Sequence, residues 1–155
     1  MQNYEIMDIT LKQQKIISDP LRGQIISLLA EKPMTSKQTA VELGKNPGTI
    51  YYHIKQLYEH GILELDHVET VKGIVEKYYK AKTTLFRGPG GIGEEHRVKN
   101  RTPLYLSDTL MDEMQEEMYQ LFKKYGKKAR ADKTAQIPCM VEFSITEIKE
   151  EDKGE

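Results

Sequence analysis

The sequence predicts a mainly α chain with one small antiparallel β hairpin, a long helix beyond it and a terminal strand. Three observations carry that expectation. Two short helical patterns follow each other across a turn of three or four residues in TSKQTAVELGKNPGTIYYHIKQLYEHG, residues 35–61. The apolar period then changes from helical to alternating in ILELDHVETVKGIVEKYYKAK, residues 62–82. Further on, Met111, Met114, Met118, Leu121 and Tyr125 recur alternately three and four residues apart, the a/d spacing of a helix seam.

Each element has a local reason. A short helix is expected around Leu11 to Ile17. Asp19 can cap a second helix and Pro20 suits its first position; Leu21, Ile25, Leu28 and Leu29 form its apolar face, and Pro33 ends it. Thr35 or Ser36 caps the third, Ala40, Val41 and Leu43 supply its apolar positions, and Gly44 permits a left-handed ending. Asn46 caps the fourth, Pro47 opens it and Gly61 closes it. In the hairpin, Leu63, Leu65 and His67 are expected on one face going out. Val75, Tyr79 and Ala81 return, with Lys72-Gly73 at the turn. Residues 83–103, including RGPGGIG, read as a linker loop. Ser107 caps a helix expected to end at Gly126. Ile137, Cys139, Val141, Phe143 and Ile145 alternate as a half-buried strand that places Cys139 in a buried, inert position, and an acidic tail follows.

Composition narrows the function. A chain of 155 residues that is 38% hydrophobic supports one modest core with an appendage. The formal charge of -1 is uneven: the last 22 residues carry 2 Lys/Arg against 6 Asp/Glu, so near-neutrality is weak evidence against an anionic partner. A single cysteine excludes a disulfide framework within the chain and points to a reducing compartment. With no apolar run long enough for a membrane and no signal pattern at the start, a cytoplasmic location is expected. No nucleophile and base fall in a recognisable catalytic setting, so an enzyme is not expected, and neither is a cofactor.

The runs ISDPLRGQIISLL, TSKQTAVELGKNPGTIYYHIKQLYEHGIL and VKGIVEKYYKA resemble the winged helix-turn-helix regulators of the arsenical-repressor (ArsR-like) family over roughly residues 10–82. Asp19-Pro20 with Arg22, then His53-Ile54 with Leu57 and Gly61-Ile62-Leu63, then the Gly73 hairpin with Glu76-Lys77-Tyr78-Tyr79 carry the resemblance. It implies a dimeric transcription regulator whose second helix of the pair enters the major groove of DNA. Together with the composition and spacing beyond residue 82, the expected division is residues 1–82 as the DNA-binding domain, 83–103 as a linker, 104–130 as the dimerisation helix and 131–155 as terminal strand and tail. In the metal-responsive branch of the family, cysteines stand on the first helix of the pair, or acidic and histidine residues on the dimer helix. Neither pattern is present here, and no metal site is expected.

The residues themselves carry a matching surface. On a helical wheel, Ile50, Ile54 and Leu57 form the buried face of the second helix, while Gly48, Thr49, Tyr52, Lys55 and Gln56 face outward and Tyr51 lies on the shoulder. No carboxylate precedes Glu59, which suits a helix bound for a phosphate-lined groove. The tyrosines leave two possibilities open, groove contact or cover for the hairpin. Lys37, Lys45, Lys55 and Lys72 are the candidate phosphate contacts, and the basic run KKYGKKAR either reaches phosphates or is a solvated helix end. His53 is expected as a packed, hydrogen-bonded residue. Glu94, Glu95 and His96 read as a charged loop. Two other functions compete: a winged helix used as a protein-protein module, and a regulator triggered by a small organic ligand. For the DNA reading, the expected partners are an imperfectly palindromic operator and a second copy of the chain.

Overall fold

A computed structural model describes residues 5–89, 97, 98, 102 and 104–148. Among them the order is β1 (Ile6–Asp8), α1 (Leu11–Ile17), α2 (Pro20–Glu31), α3 (Ser36–Leu43), α4 (Pro47–Glu59), β2 (Leu63–Val71), β3 (Ile74–Ala81), β4 (Leu85–Arg87) and α5 (Asp108–Ala131). It is a winged helix: α3 and α4 form the helix-turn-helix, the β2–β3 hairpin is the wing, and α5 follows. Helix starts obey their caps. Thr10 and Thr35 each close a capping box, while the Asp19 and Asn46 side chains accept two backbone N–H groups apiece ahead of a first-position proline. Gly44 stops α3 in the left-handed region, at φ 62°. Around these helices Ile25, Leu29, Ile50, Ile54, Leu57 and Ile62 are essentially sealed from solvent, with Ile9, Ile26, Leu28, Met34, Ala40, Leu63 and Ala81 completing the core.

Two strands depart from the expected architecture. Leu85–Arg87, read from composition as the start of the loop, pairs parallel with Ile6–Asp8. Ile9 N–H adds a bond to Arg87 O at 2.9 Å, and the Arg87 guanidinium grips both Asp8 carboxylate oxygens. Strands of three residues are too short to show a period. Conversely, the alternating row from Ile137 to Ile145 forms no strand in the described residues, and Cys139 is exposed rather than buried. Alternation specifies a face, whereas a strand also needs an edge to pair with, and this segment finds none among the described residues of its own chain.

Three local expectations also change. Val41 is 77% exposed, and the buried positions of α3 are Thr39 and Ala40, because Thr39 turns its hydroxyl back onto Thr35 O at 2.8 Å and hides its methyl. The hairpin turn does fall at Lys72-Gly73, both at positive φ (52° and 78°) as a two-residue primed turn requires. A bulge between Leu65 and His67, however, moves His67 to the face opposite Leu65, where it stacks on Tyr78. Finally, α5 does not stop at Gly126 but continues to Ala131. A Cβ at Gly126 would lie 2.8 Å from Ser27 Oγ, so a larger residue there would displace the hydroxyl that Arg130 bonds. Arg130 then bonds Ser27 and pairs with Glu31 across the same contact.

Candidate nucleic-acid interface

The surface of α4 is organised from its interior outward. Ile50, Ile54 and Leu57 are 0–1% exposed and fix the helix's rotation, as the wheel predicts. That rotation leaves Gly48, Thr49, Tyr51, Tyr52 and Lys55 exposed and Gln56 half-buried. Lys37 and Lys45 are exposed on and just after α3, and Lys72 stands at the wing turn. All nine candidate contacts therefore reach solvent on α3, its following turn, α4 or the wing. Lys55 is not wholly unengaged: its ammonium lies 4.0 Å from Glu59, an exposed pair of the kind that contributes little and exchanges readily.

The two tyrosines diverge. Tyr52 packs edge-on against His53 at 5.5 Å and lies under the Arg22 guanidinium at 6.0 Å, on the side toward α2. Tyr51 turns toward the wing, where it lines a notch of about 300 Å3 with Ser36, Val75, Lys77 and Tyr79. Burial, with Tyr51 and then Tyr58 beside it, pushes the Tyr79 phenol above its ordinary range, so this hydroxyl stays protonated. Tyr58 meets Tyr79 edge to face at 5.5 Å and joins α4 to β3. Backbone pairing of Met34 with Tyr79, at 2.9 and 3.1 Å, joins the approach to α3 to the same strand.

Arg22 matters more than its place in a sequence motif indicates. Its Nε donates to His53 Nδ1 at 3.0 Å and its Nη1 to Ile16 O at 3.2 Å, tying α1, α2 and α4 together behind the exposed surface. His53 is thus packed and hydrogen-bonded, with its Nδ1 serving as acceptor. Lys77 and Ser36 stand near Tyr51 without any expectation from the sequence. The signal for Lys77 is its place between Val75 and Tyr79 in the alternation, whereas Ser36 is brought in only by tertiary pairing.

On the far face of the wing, His67 Nδ1 bonds Asp66 at 2.6 Å and Nε2 reaches Glu69 at 3.3 Å; Lys80 bridges Glu64 and Asp66, each at 3.3 Å. No group of three or more His, Cys, Asp or Glu side chains among the described residues is placed to hold a metal ion. Glu94, Glu95, His96 and the end of the acidic tail lie outside the described residues. Among those residues no helix is long and apolar enough to cross a membrane.

A helix-turn-helix whose second helix is buried on one side and exposes polar and aromatic side chains on the other, flanked by a wing, defines the winged helix-turn-helix class of DNA-binding proteins. Comparison with known families narrows the class. The model for "Bacterial regulatory protein, arsR family" matches residues 19–64, from the α2 cap into β2. The match supports a DNA-binding transcriptional regulator. No curated protein matches the chain.

Proposed function

We propose that the chain is a cytoplasmic, homodimeric repressor that binds double-stranded DNA sequence-specifically and answers to a non-metal effector, without enzymatic activity. The observation that carries this reading is the solvent-facing side of α4, where Thr49, Tyr52, Lys55 and Gln56 offer donors and a cation and no carboxylate intervenes before Glu59. Thr49, Tyr52 and Gln56 contact base edges, while Lys37, Lys45, Lys55 and Lys72 contact phosphates. Gly48 lets the helix start approach the groove closely.

Assembly rests on α5. Met111, Met114 and Met118 are half-exposed, and Leu121 and Tyr125 are 42% and 55% exposed, so the whole seam is available to a second copy. A two-fold dimer presents its reading helices to successive major grooves, which makes the operator an imperfect palindrome with half-site centres about 10 base pairs apart or a multiple of that. Selection of bound duplexes from a random pool tests both parts. The expected product is a palindromic motif; recovery of no enriched sequence contradicts sequence-specific binding.

A further inference from the structure

The notch between α4 and the wing has a chemistry of its own. Its lining holds one cation, Lys77, three hydroxyls, from Ser36, Tyr51 and Tyr79, and the apolar Val75, with no carboxylate among these described residues. We propose that this notch seats a backbone phosphodiester of the bound DNA, with the Lys77 ammonium as its charge partner and the Tyr51 hydroxyl as a hydrogen-bond donor. The inference rests on the DNA-binding reading above and gives Tyr51, on the shoulder of α4, a place at the DNA backbone.

Charge placement is the first argument. Lys55, Lys80 and Lys82 each lie within 4.0 Å of a glutamate, whereas Lys77 has no ion-pair partner among the described residues. The wing's register explains why. Lys77 pairs with Val68 and lies between Val75 and Tyr79 on the face turned to α4, while Glu69 and Glu76 pair with each other on the opposite face. An ammonium held away from carboxylates, beside neutral donors, suits a singly charged tetrahedral oxyanion.

Position is the second. Tyr51 precedes Tyr52 and stands one helical turn before Lys55, so an anion in the notch borders the surface that α4 presents to the groove. Ser36 opens α3, whose helix dipole adds positive potential at the same end. A strand of DNA passing between α4 and the wing would meet these groups from outside, where the Tyr51 side chain is 58% exposed.

The test uses the full-length chain, fluorescence anisotropy on a selected operator and on a scrambled duplex, a salt series, and three variants: Lys77→Gln, Tyr51→Phe and Gln56→Ala. Lys77→Gln should weaken binding to both duplexes by the same factor, about tenfold, and flatten the log-affinity against log-salt slope by about 0.9 for each phosphate left without its cation. Tyr51→Phe, which leaves the charge unchanged, should weaken both duplexes alike by about three- to tenfold with the slope and base preference retained. Thermal melts matching wild type separate these losses from unfolding. If both variants bind like wild type while Gln56→Ala alters base preference, the notch is not a phosphate seat and the DNA reading stands. A change of preference at one base pair in Tyr51→Phe also overturns the seat, because it makes Tyr51 a base reader. If wild type binds neither duplex, the DNA reading fails and takes the inference with it.

Discussion

Among the described residues, thirteen apolar side chains from Ile9 to Ala81 are buried, whereas the 24-residue α5, with an equally regular apolar row, buries none. Both regions have the amphipathic spacing that builds a core. In the first, the facing surface is supplied by the same chain: the apolar side of α4 meets α2, α3 and the strands. In the second, α5 uses Gly126 and Arg130 to touch α2, and its methionine row lies on another side of the helix. Equal patterns therefore have unequal outcomes, decided by whether the chain provides the opposing surface. Apolar periodicity reports a face suited to packing, and the rest of the fold decides whether the same chain covers it.

The comparison breaks or sharpens under substitution. Leu57 is fully buried, so Leu57→Ala should cost about 3–5 kcal/mol of folding stability. Chemical denaturation should show that loss at every protein concentration; a loss under about 1 kcal/mol would mean that the core repacks around α4 and is looser than its burial indicates. Met118→Lys acts on the other region. It should remove on the order of 2–3 kcal/mol of association by placing an unpaired charge in the seam, with the fold of residues 5–89 retained. Sedimentation should then show monomers. Persistence of dimers for this variant would put the interface elsewhere and make the exposed row a plain solvent face.

The smallest effect distinguishes the wing from both. The hydrogen bond that the His67 imidazole donates to Asp66, and after it the bond to Glu69 and the charges of the two carboxylates, hold the imidazole above its ordinary value of 6.5 against the opposing pull of burial. The folded wing thus favours the cation, and this contribution is complete below about pH 6.5 and fades as pH rises through the raised value. Asp66, lowered first by its bond to His67, contributes fully above about pH 3.8 and loses that contribution as pH falls through its depressed value. The wing should therefore be held most firmly between these limits. Amide exchange corrected for intrinsic rates should show slightly better protection of β2 and β3 at pH 5.5 than at pH 8, with α2 and α4 unchanged; equal protection would show that the His67 bonds hold nothing.

Most of the helical unit was legible because its signals are local. The bounds of α1, the Asp19 and Asn46 caps, Gly44 and the Lys72-Gly73 turn each act within a few residues, and the rotation of α4 follows from three apolar positions. The remainder depends on distant partners. Nothing around Asp66 announces a bulge, so the alternation alone puts His67 on the wrong side. The β1–β4 pairing joins residues far apart in the chain. Gly126 reads as a helix end because the Ser27 hydroxyl comes beside it only after packing. Of the candidate contacts, exposure was legible for all but Gln56, which is half-buried, yet the parting of Tyr51 toward the wing and Tyr52 toward Arg22 depends on what each ring meets in the folded unit.

The pairing of Ile6–Asp8 with Leu85–Arg87 has a mechanical consequence. Because the two strands run parallel, a pull on residue 5 against residue 89 slides them lengthwise past each other. Their hydrogen bonds, with the bond from Ile9 to Arg87 and the Asp8–Arg87 grip, then share the load together instead of parting one at a time as they would in a peeled hairpin. Short as it is, the pair is a shear clamp at the two ends of the helix-turn-helix unit. Tension between those ends must break it before the strain reaches α4.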